Sequence, residues 1–176
     1  MKKIAVAVLP ALILLFSTHV FATAVYASSS VMGDPVGDAA PGYQDIVRAK
    51  VTEQRGRGTL FLSMEVASLI PLQPAENALY WSWHLDTDPN SAPYDWAADY
   101  VVHVHWDGTA FTAFLFDRRT TITTYVPFSI DGASVKVSVD LPLIGDPSSF
   151  DWIAATKVLP GTPDSAPDSG WTDWGH

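Results

Sequence analysis

The sequence contains no cysteine, which excludes disulfide bonds, thiolate catalysis and Cys-ligated zinc. It is also poor in positive charge, with 10 Lys and Arg against 19 Asp and Glu and a formal net charge of −9. Nucleic acids and anionic membrane surfaces attract clusters of Lys and Arg, so this acidic balance argues against both as partners. We therefore expect no nucleic acid partner.

A long apolar run occurs only at the N terminus. Two lysines precede the run from Ile4 to Phe16, and a small-residue pattern, Val-Tyr-Ala, ends at Ala27. This layout predicts a secretory signal peptide over residues 1–27, because the run is too short to span a membrane comfortably. We expect an exported mature chain, secreted or held in the cell envelope, with no membrane span and a single domain over residues 28–176.

Long helical patterns are missing as well, and alternation of apolar and polar residues replaces them. Leu60, Leu62 and Met64, for example, alternate with Phe61 and Ser63, as half-buried strands require. Asp-Gly pairs between such runs are typical hairpin turns. About eight evenly spaced strands predict an all-β fold, a single antiparallel β-sandwich of the jelly-roll type.

Three segments interrupt the alternation. Residues 28–44 and the tail from Pro160 are rich in Ser, Gly, Pro and Asp, and this composition predicts loops. The segment LPLIGDPSSF, which begins at Leu141, predicts one short turn of helix.

The connection from His84 to Tyr100 concentrates acidic residues and raises the question of calcium. It begins like an EF-hand loop, but Ser91 stands where that loop needs Gly and Ala97 where it needs Glu. A sandwich can instead collect oxygen ligands from several loops, with Asp34 as one upstream donor. The predicted calcium ligands are Asp86, Asp88, Asn90, Asp45 and Asp38. The alternative is that these side chains only cap local N–H groups in turns.

Histidines provide a second metal hypothesis. His103 and His105 share one face of a predicted strand, a spacing that can bind zinc or another transition metal. If the neighbouring strand pairs through the acidic connection, His84 lies beside them. A register shift of one residue would move His84 to the opposite face, and three histidines on an outer sheet face need not bind any metal.

Aromatic residues are abundant, with 7 Trp, 6 Tyr and 8 Phe. Trp96 and Tyr94 lie in the acidic connection and are the predicted ligand-binding residues, because flat aromatic rings stack on sugar rings. Trp171 and Trp174 also lie outside any strand alternation and are free to be exposed. Core positions are predicted for Trp81, Trp83 and Trp106.

Enzyme motifs are missing: the chain has no G-x-S-x-G elbow and no Gly-rich phosphate loop. Carboxylates are numerous but lie in turns, and no pair can be nominated as a glycosidase acid and base. No catalytic residue is predicted.

Several short motifs occur in a characteristic order. DPVGD is followed by QDI at the first strand, LDTDPN before a DY strand, VDLPLIGDPSSFDW and a closing DSAPDSG. In this order the mature chain resembles the DOMON and family 9 carbohydrate-binding-module superfamily of secreted β-sandwich domains. The resemblance implies a jelly-roll sandwich that is often stabilised by calcium and usually binds sugar or haem. Met64, one possible haem ligand, is predicted to be core instead.

The leading hypothesis is an exported, non-enzymatic, calcium-stabilised module that binds carbohydrate or another extracellular ligand. Two alternatives stay open. One is a small metalloprotein or metalloenzyme built on His84, His103 and His105, and the other is a structural domain with no small ligand.

Overall fold

The computed structural model describes residues 27–54, 57–88 and 98–175. The predicted signal peptide, apart from Ala27, lies outside these residues, as do Asn90, Tyr94 and Trp96. Within the described ranges two antiparallel sheets face each other, which confirms the predicted all-β sandwich. No helix in this part of the chain is both long and apolar enough to pass through a lipid bilayer.

One sheet has five strands and the other has seven. In spatial order, the five-stranded sheet consists of β1 (Ala27–Gly33), β2 (Ile46–Gln54), β3 (Thr59–Val66), β9 (Ser134–Asp140) and β8 (Phe128–Asp131). The main path of the seven-stranded sheet is β11 (Asp164–Ala166), β10 (Ser149–Leu159), β4 (Ala78–Asp86), β5 (Tyr100–Trp106), β6 (Phe111–Asp117) and β7 (Ile122–Tyr125). Its seventh strand, β12 (Thr172–Gly175), pairs with β10 on the same edge as β11.

The described part of the chain contains twelve strands, more than the eight or so predicted. The prediction of loops was wrong for β1 in the Ser-rich segment and for β11 and β12 in the tail. These strands form through backbone pairing with β2 and β10, without the apolar alternation that identifies a half-buried strand. The predicted helical turn is confirmed as a 3-10 helix, Leu141–Ile144.

The core lies between the sheets and is rich in tryptophan. Trp81, Trp83 and Trp106 are buried, as predicted, and Met64 is also buried. Trp174 is only 1% exposed and stacks on Phe150 with ring centroids 4.6 Å apart, so the expectation that it is exposed was wrong. Its burial follows from the pairing of β12 with β10, which places Trp174 directly opposite Phe150.

Along one side of the sandwich, hydrogen bonds join the edges of the two sheets. Ser28 Oγ donates to Gly175 O at 2.9 Å, and Ser30 Oγ donates to Asp173 O at 2.8 Å. We call this side the seam; it brings the β1–β2 connection against β11 and the residues that flank it.

A second set of bonds at the seam starts from Gln44 and Ile46. Gln44 Nε2 donates to Thr162 O at 2.7 Å, and the Ile46 N–H donates to Asp164 Oδ2 at 2.7 Å. Thr156 Oγ1 in turn donates to Gln44 O at 2.5 Å. The start of β2 is therefore fixed to the seven-stranded sheet by side chains and not by strand pairing.

Adjacent residues on β3 provide a test of which face is the core. Leu62 is fully buried, whereas Phe61 is 40% exposed on the opposite face. We expect Leu62→Ala to lower the free energy of unfolding by about 2–5 kcal/mol, because it leaves a cavity between the sheets. Phe61→Ala is expected to cost about 1 kcal/mol or less. Urea unfolding measures both, and equal losses would contradict the assigned faces.

Candidate cation site at the seam

Five aspartates converge at the seam: Asp34, Asp38, Asp45, Asp164 and Asp168. They form two overlapping groups that share Asp38, and within each group one carboxylate oxygen per residue lies within 4.8 Å of the others. Oxygens on opposite sides of a calcium ion are separated by about twice the Ca–O distance, or roughly 4.6–5.2 Å. The spacing within each group of three therefore matches that of oxygens around one hard cation.

Different elements supply these side chains. Asp34 follows β1 and its N–H donates to Val47 O at 3.1 Å, while Asp45 directly precedes β2. Gly37 has a φ of 99°, and this left-handed conformation lets its N–H donate to Asp45 Oδ2 at 2.7 Å. Asp164 begins β11. The cluster thus combines one connection of the five-stranded sheet with one edge of the seven-stranded sheet.

Two buried carboxylate oxygens in the cluster have no hydrogen-bond partner among the described residues. Asp45 is only 2% exposed, and its Oδ1 is such an atom; Asp34 Oδ2 is the other. By contrast, Asp164 accepts at both oxygens, from the Ile46 N–H and from the Ser165 N–H at 2.9 Å. Leaving a buried oxygen without a partner costs about 1–3 kcal/mol or more for a charged group. The open oxygens therefore point to a ligand.

The electrostatics of the cluster lead to the same inference. Burial raises the pKa of Asp34 to about 7, and repulsion from the other four carboxylates, that of Asp164 first, adds to this rise. Burial also raises the pKa of Asp164, although the N–H groups that it accepts oppose the change. None of the five forms an ion pair with Lys or Arg in the described ranges. A divalent cation would relieve this repulsion.

Of the predicted calcium ligands, Asp38 and Asp45 lie in the cluster, as does the upstream donor Asp34. Asp86 and Asp88 belong to neither group, and Asn90 lies outside the described residues. Asp164 and Asp168 were not predicted as ligands, although both occur in the closing DSAPDSG motif.

Strand register explains the position of Asp86. Asp86 lies opposite Asp151 of β10, whereas Asp164 lies opposite Thr156 of the same strand. Five residues of extended chain separate these positions, a distance of about 17 Å. Asp86 instead neighbours Asp151, whose pKa is raised by burial and then by Asp173 on its other side.

The acidic connection also shows the turn chemistry that was the alternative to calcium. Asp99 Oδ2 accepts hydrogen bonds from the N–H and the hydroxyl of Thr87, at 3.0 and 2.8 Å. The Asp88 N–H donates to Asp86 Oδ1 at 3.3 Å. Local N–H groups therefore engage carboxylates at both described ends of this connection.

The three predicted histidines lie on the outer face of the seven-stranded sheet. Ser82 is opposite His103 and Tyr80 is opposite His105, so His84 falls on the same face. The ring centroids of His84 and His103 are 6.4 Å apart. The three imidazoles do not form a group with nitrogens within 4.8 Å of one another, in a search limited to the described chain.

His103 and His105 each contact a neighbouring side chain. His103 Nδ1 is hydrogen-bonded to Ser82 Oγ at 2.7 Å, and the His105 ring stacks on Tyr80 with centroids 4.3 Å apart. Burial lowers the pKa of His84 to about 3 and that of His103 to about 4, so both are neutral at pH 7. His84 and His103 line a cavity of about 380 Å³.

The chain was compared with protein-family models, with curated proteins and with solved structures. None of the three comparisons found a match.

Proposed function

We propose that this protein is an exported, non-enzymatic binding module whose sandwich is stabilised by calcium and whose ligand is a carbohydrate. The observation that carries the calcium part is the buried Asp45 Oδ1, which has no hydrogen-bond partner in the described structure and lies within a cluster of aspartates from both sheets. A carboxylate in this position is expected to have a cation as its partner.

Calcium is favoured by the ligand chemistry. All five candidate ligands are carboxylates, and hard oxygen donors suit calcium and magnesium better than zinc or copper. Calcium accepts six to eight oxygens in flexible geometry, whereas magnesium requires a near-ideal octahedron. Asp45 and Asp164 are buried while Asp38 and Asp168 are exposed, so water can complete an irregular shell.

The proposed ion would join the two sheets. Asp34, Asp38 and Asp45 belong to the β1–β2 connection, and Asp164 and Asp168 belong to β11 and the residue run after it. An extracellular domain commonly uses disulfides for such a link, but this chain has no cysteine. The calcium ion would fulfil the same structural role.

Export and carbohydrate binding have separate support. The N-terminal pattern up to Ala27 supports export. The resemblance to the DOMON and family 9 carbohydrate-binding-module superfamily supports an extracellular ligand. Between sugar and haem we favour sugar, because Met64 is only 1% exposed within the apolar core.

Calcium removal gives the first test. We expect calcium at about 100 times its dissociation constant to stabilise the folded protein by about 2.7 kcal/mol, which raises the melting temperature by roughly 5–11 °C over the chelated protein. Asp45→Asn should abolish this increment because it removes a buried negative ligand. In the chelated protein the same substitution should not destabilise, since it relieves repulsion. Thermal melts with calcium and with EGTA measure both effects.

Asp86→Asn is the matched control, since it removes one carboxylate from the acidic connection and leaves the seam intact. It should preserve the calcium increment. An increment that survives in Asp45→Asn but is lost in Asp86→Asn would place the ion at the acidic connection. Zinc in place of calcium in the purified protein would favour the histidine hypothesis.

The raised pKa of Asp34 predicts a pH dependence. Its folded pKa of about 7 exceeds the ordinary value of 3.8, so the folded protein binds more protons than the unfolded chain between these values. The stability that this group contributes without calcium is complete below about pH 4 and is lost as pH rises toward about 7. Calcium competes with the proton, so the calcium increment should be larger at about pH 8 than at about pH 5.

Melting temperatures with calcium and with EGTA across this pH range measure the difference. Asp34→Asn should reduce the pH dependence of the chelated protein, whereas Asp131→Asn, an exposed acid on β8, should not. An equal calcium increment at both ends of the range would contradict the role assigned to Asp34.

A further inference from the structure

The outer face of the five-stranded sheet contains a groove that the calcium proposal does not involve. Its volume is about 690 Å³, and residues of β2, β3 and β9 line it together with Pro127 and Phe128. A second hollow of about 580 Å³ shares Lys50, Ser63 and Lys136 with it. The two hollows therefore adjoin on β3.

Strand register aligns two lysines across this groove. Lys50 lies opposite Ser63, and Ser63 lies opposite Lys136, so the three form a row across β2, β3 and β9. The Cα atoms of the two lysines are therefore about 10 Å apart, or two strand spacings. Because the lysine stems are long and flexible and Ser63 is small, both ammonium groups can reach one anion above Ser63.

Among the described residues, neither ammonium group has a partner. Lys50 and Lys136 are exposed, and neither forms an ion pair or hydrogen bond within the described structure. In the next row Arg48 is paired with Glu65 at 2.6 Å and neutralises it. Because the chain has a net charge of −9, the attraction for an anionic ligand depends on this local pair of positive charges.

The row beside the lysines has the composition of a sugar site. Phe61 is 40% exposed and lies between Thr52 and Ser138 on the neighbouring strands. An exposed aromatic ring can stack on the apolar face of a sugar ring. Hydroxyl groups of Ser63 and Ser138 can donate to or accept from sugar hydroxyls. Aromatic, hydroxyl and ammonium groups thus lie within one groove.

We propose that this groove binds a sugar residue that bears a carboxylate, that is, a uronic acid residue of an acidic polysaccharide. The sugar ring lies on Phe61, and its carboxylate lies between Lys50 and Lys136. This inference rests on the proposed role as a carbohydrate-binding module and is independent of the calcium site. A neutral sugar would leave the two ammonium groups unused, and an acidic peptide would not use Phe61 with the hydroxyl groups.

Isothermal titration calorimetry tests the proposal on the purified protein. The probes are oligomers of galacturonate, glucuronate, mannuronate and guluronate, each with its neutral methyl ester. At least one acid should bind, with an affinity at least about tenfold above that of its ester and weaker at high salt. Free calcium is removed by dialysis beforehand, because uronates themselves chelate it.

Variants locate the binding. Lys50→Gln and Lys136→Gln should each weaken the binding of that acid about tenfold, as should Phe61→Ala. Lys157→Gln is the matched control, because Lys157 is exposed on the other sheet and loses the same charge. It should bind like the unchanged protein. The urea unfolding of Phe61→Ala shows separately that this variant is folded.

Three outcomes would overturn the proposal. The first is that none of the four acids binds at about 1 mM, and the second is that an acid and its ester bind with equal affinity. The third is that Lys157→Gln weakens uronate binding whereas the groove variants do not. Poly-glutamate that binds as tightly as the best uronate would also overturn it, because charge alone would then suffice. Uronate binding by a protein whose melting temperature does not depend on calcium would refute only the calcium proposal. A calcium-dependent melting temperature without uronate binding would refute only the uronate proposal.

Discussion

The carboxylate of Asp45 lies where the β1–β2 connection meets the seven-stranded sheet. One oxygen accepts the Gly37 N–H and folds the β1–β2 connection, while the N–H of the next residue, Ile46, donates to Asp164 across the seam. The remaining oxygen is buried without a hydrogen bond from the described residues. The hydrogen bonds that hold this seam therefore also concentrate negative charge in it, and the proposed cation would resolve that conflict.

The parts of the fold that were predicted correctly depend on local pattern. Leu60, Leu62 and Met64 face the core because side chains of a strand alternate, whatever strand lies beside it. Strands β1 and β12 could not be predicted in this way. They form through backbone pairing in segments rich in Ser, Asp and Gly, so the sequence carries little apolar signal for them. Trp174 was misjudged for the same reason.

The candidate site was harder to predict than the fold, because acidic turns resemble one another in sequence. Which turns meet depends on pairing between distant strands. Asp164 reaches the seam because β11 pairs with β10 near Thr156, whereas Asp86 is held opposite Asp151, about 17 Å along the same strand. A shift of the pairing by a few residues would have selected a different set of carboxylates.

The two proposed sites lie too far apart for direct electrostatic coupling. Asp45 directly precedes β2 and Lys50 lies five residues later, so extended chain separates them by about 17 Å. At physiological ionic strength the Debye length is about 8 Å, so the charge of a bound calcium ion is largely screened at the groove. A calcium ion at the proposed site would therefore influence a ligand in the groove only through the fold, by fixing the start of β2. For this reason the acidic seam and the lysine pair can coexist on one small domain, because solvent ions largely screen the charges of one from those of the other.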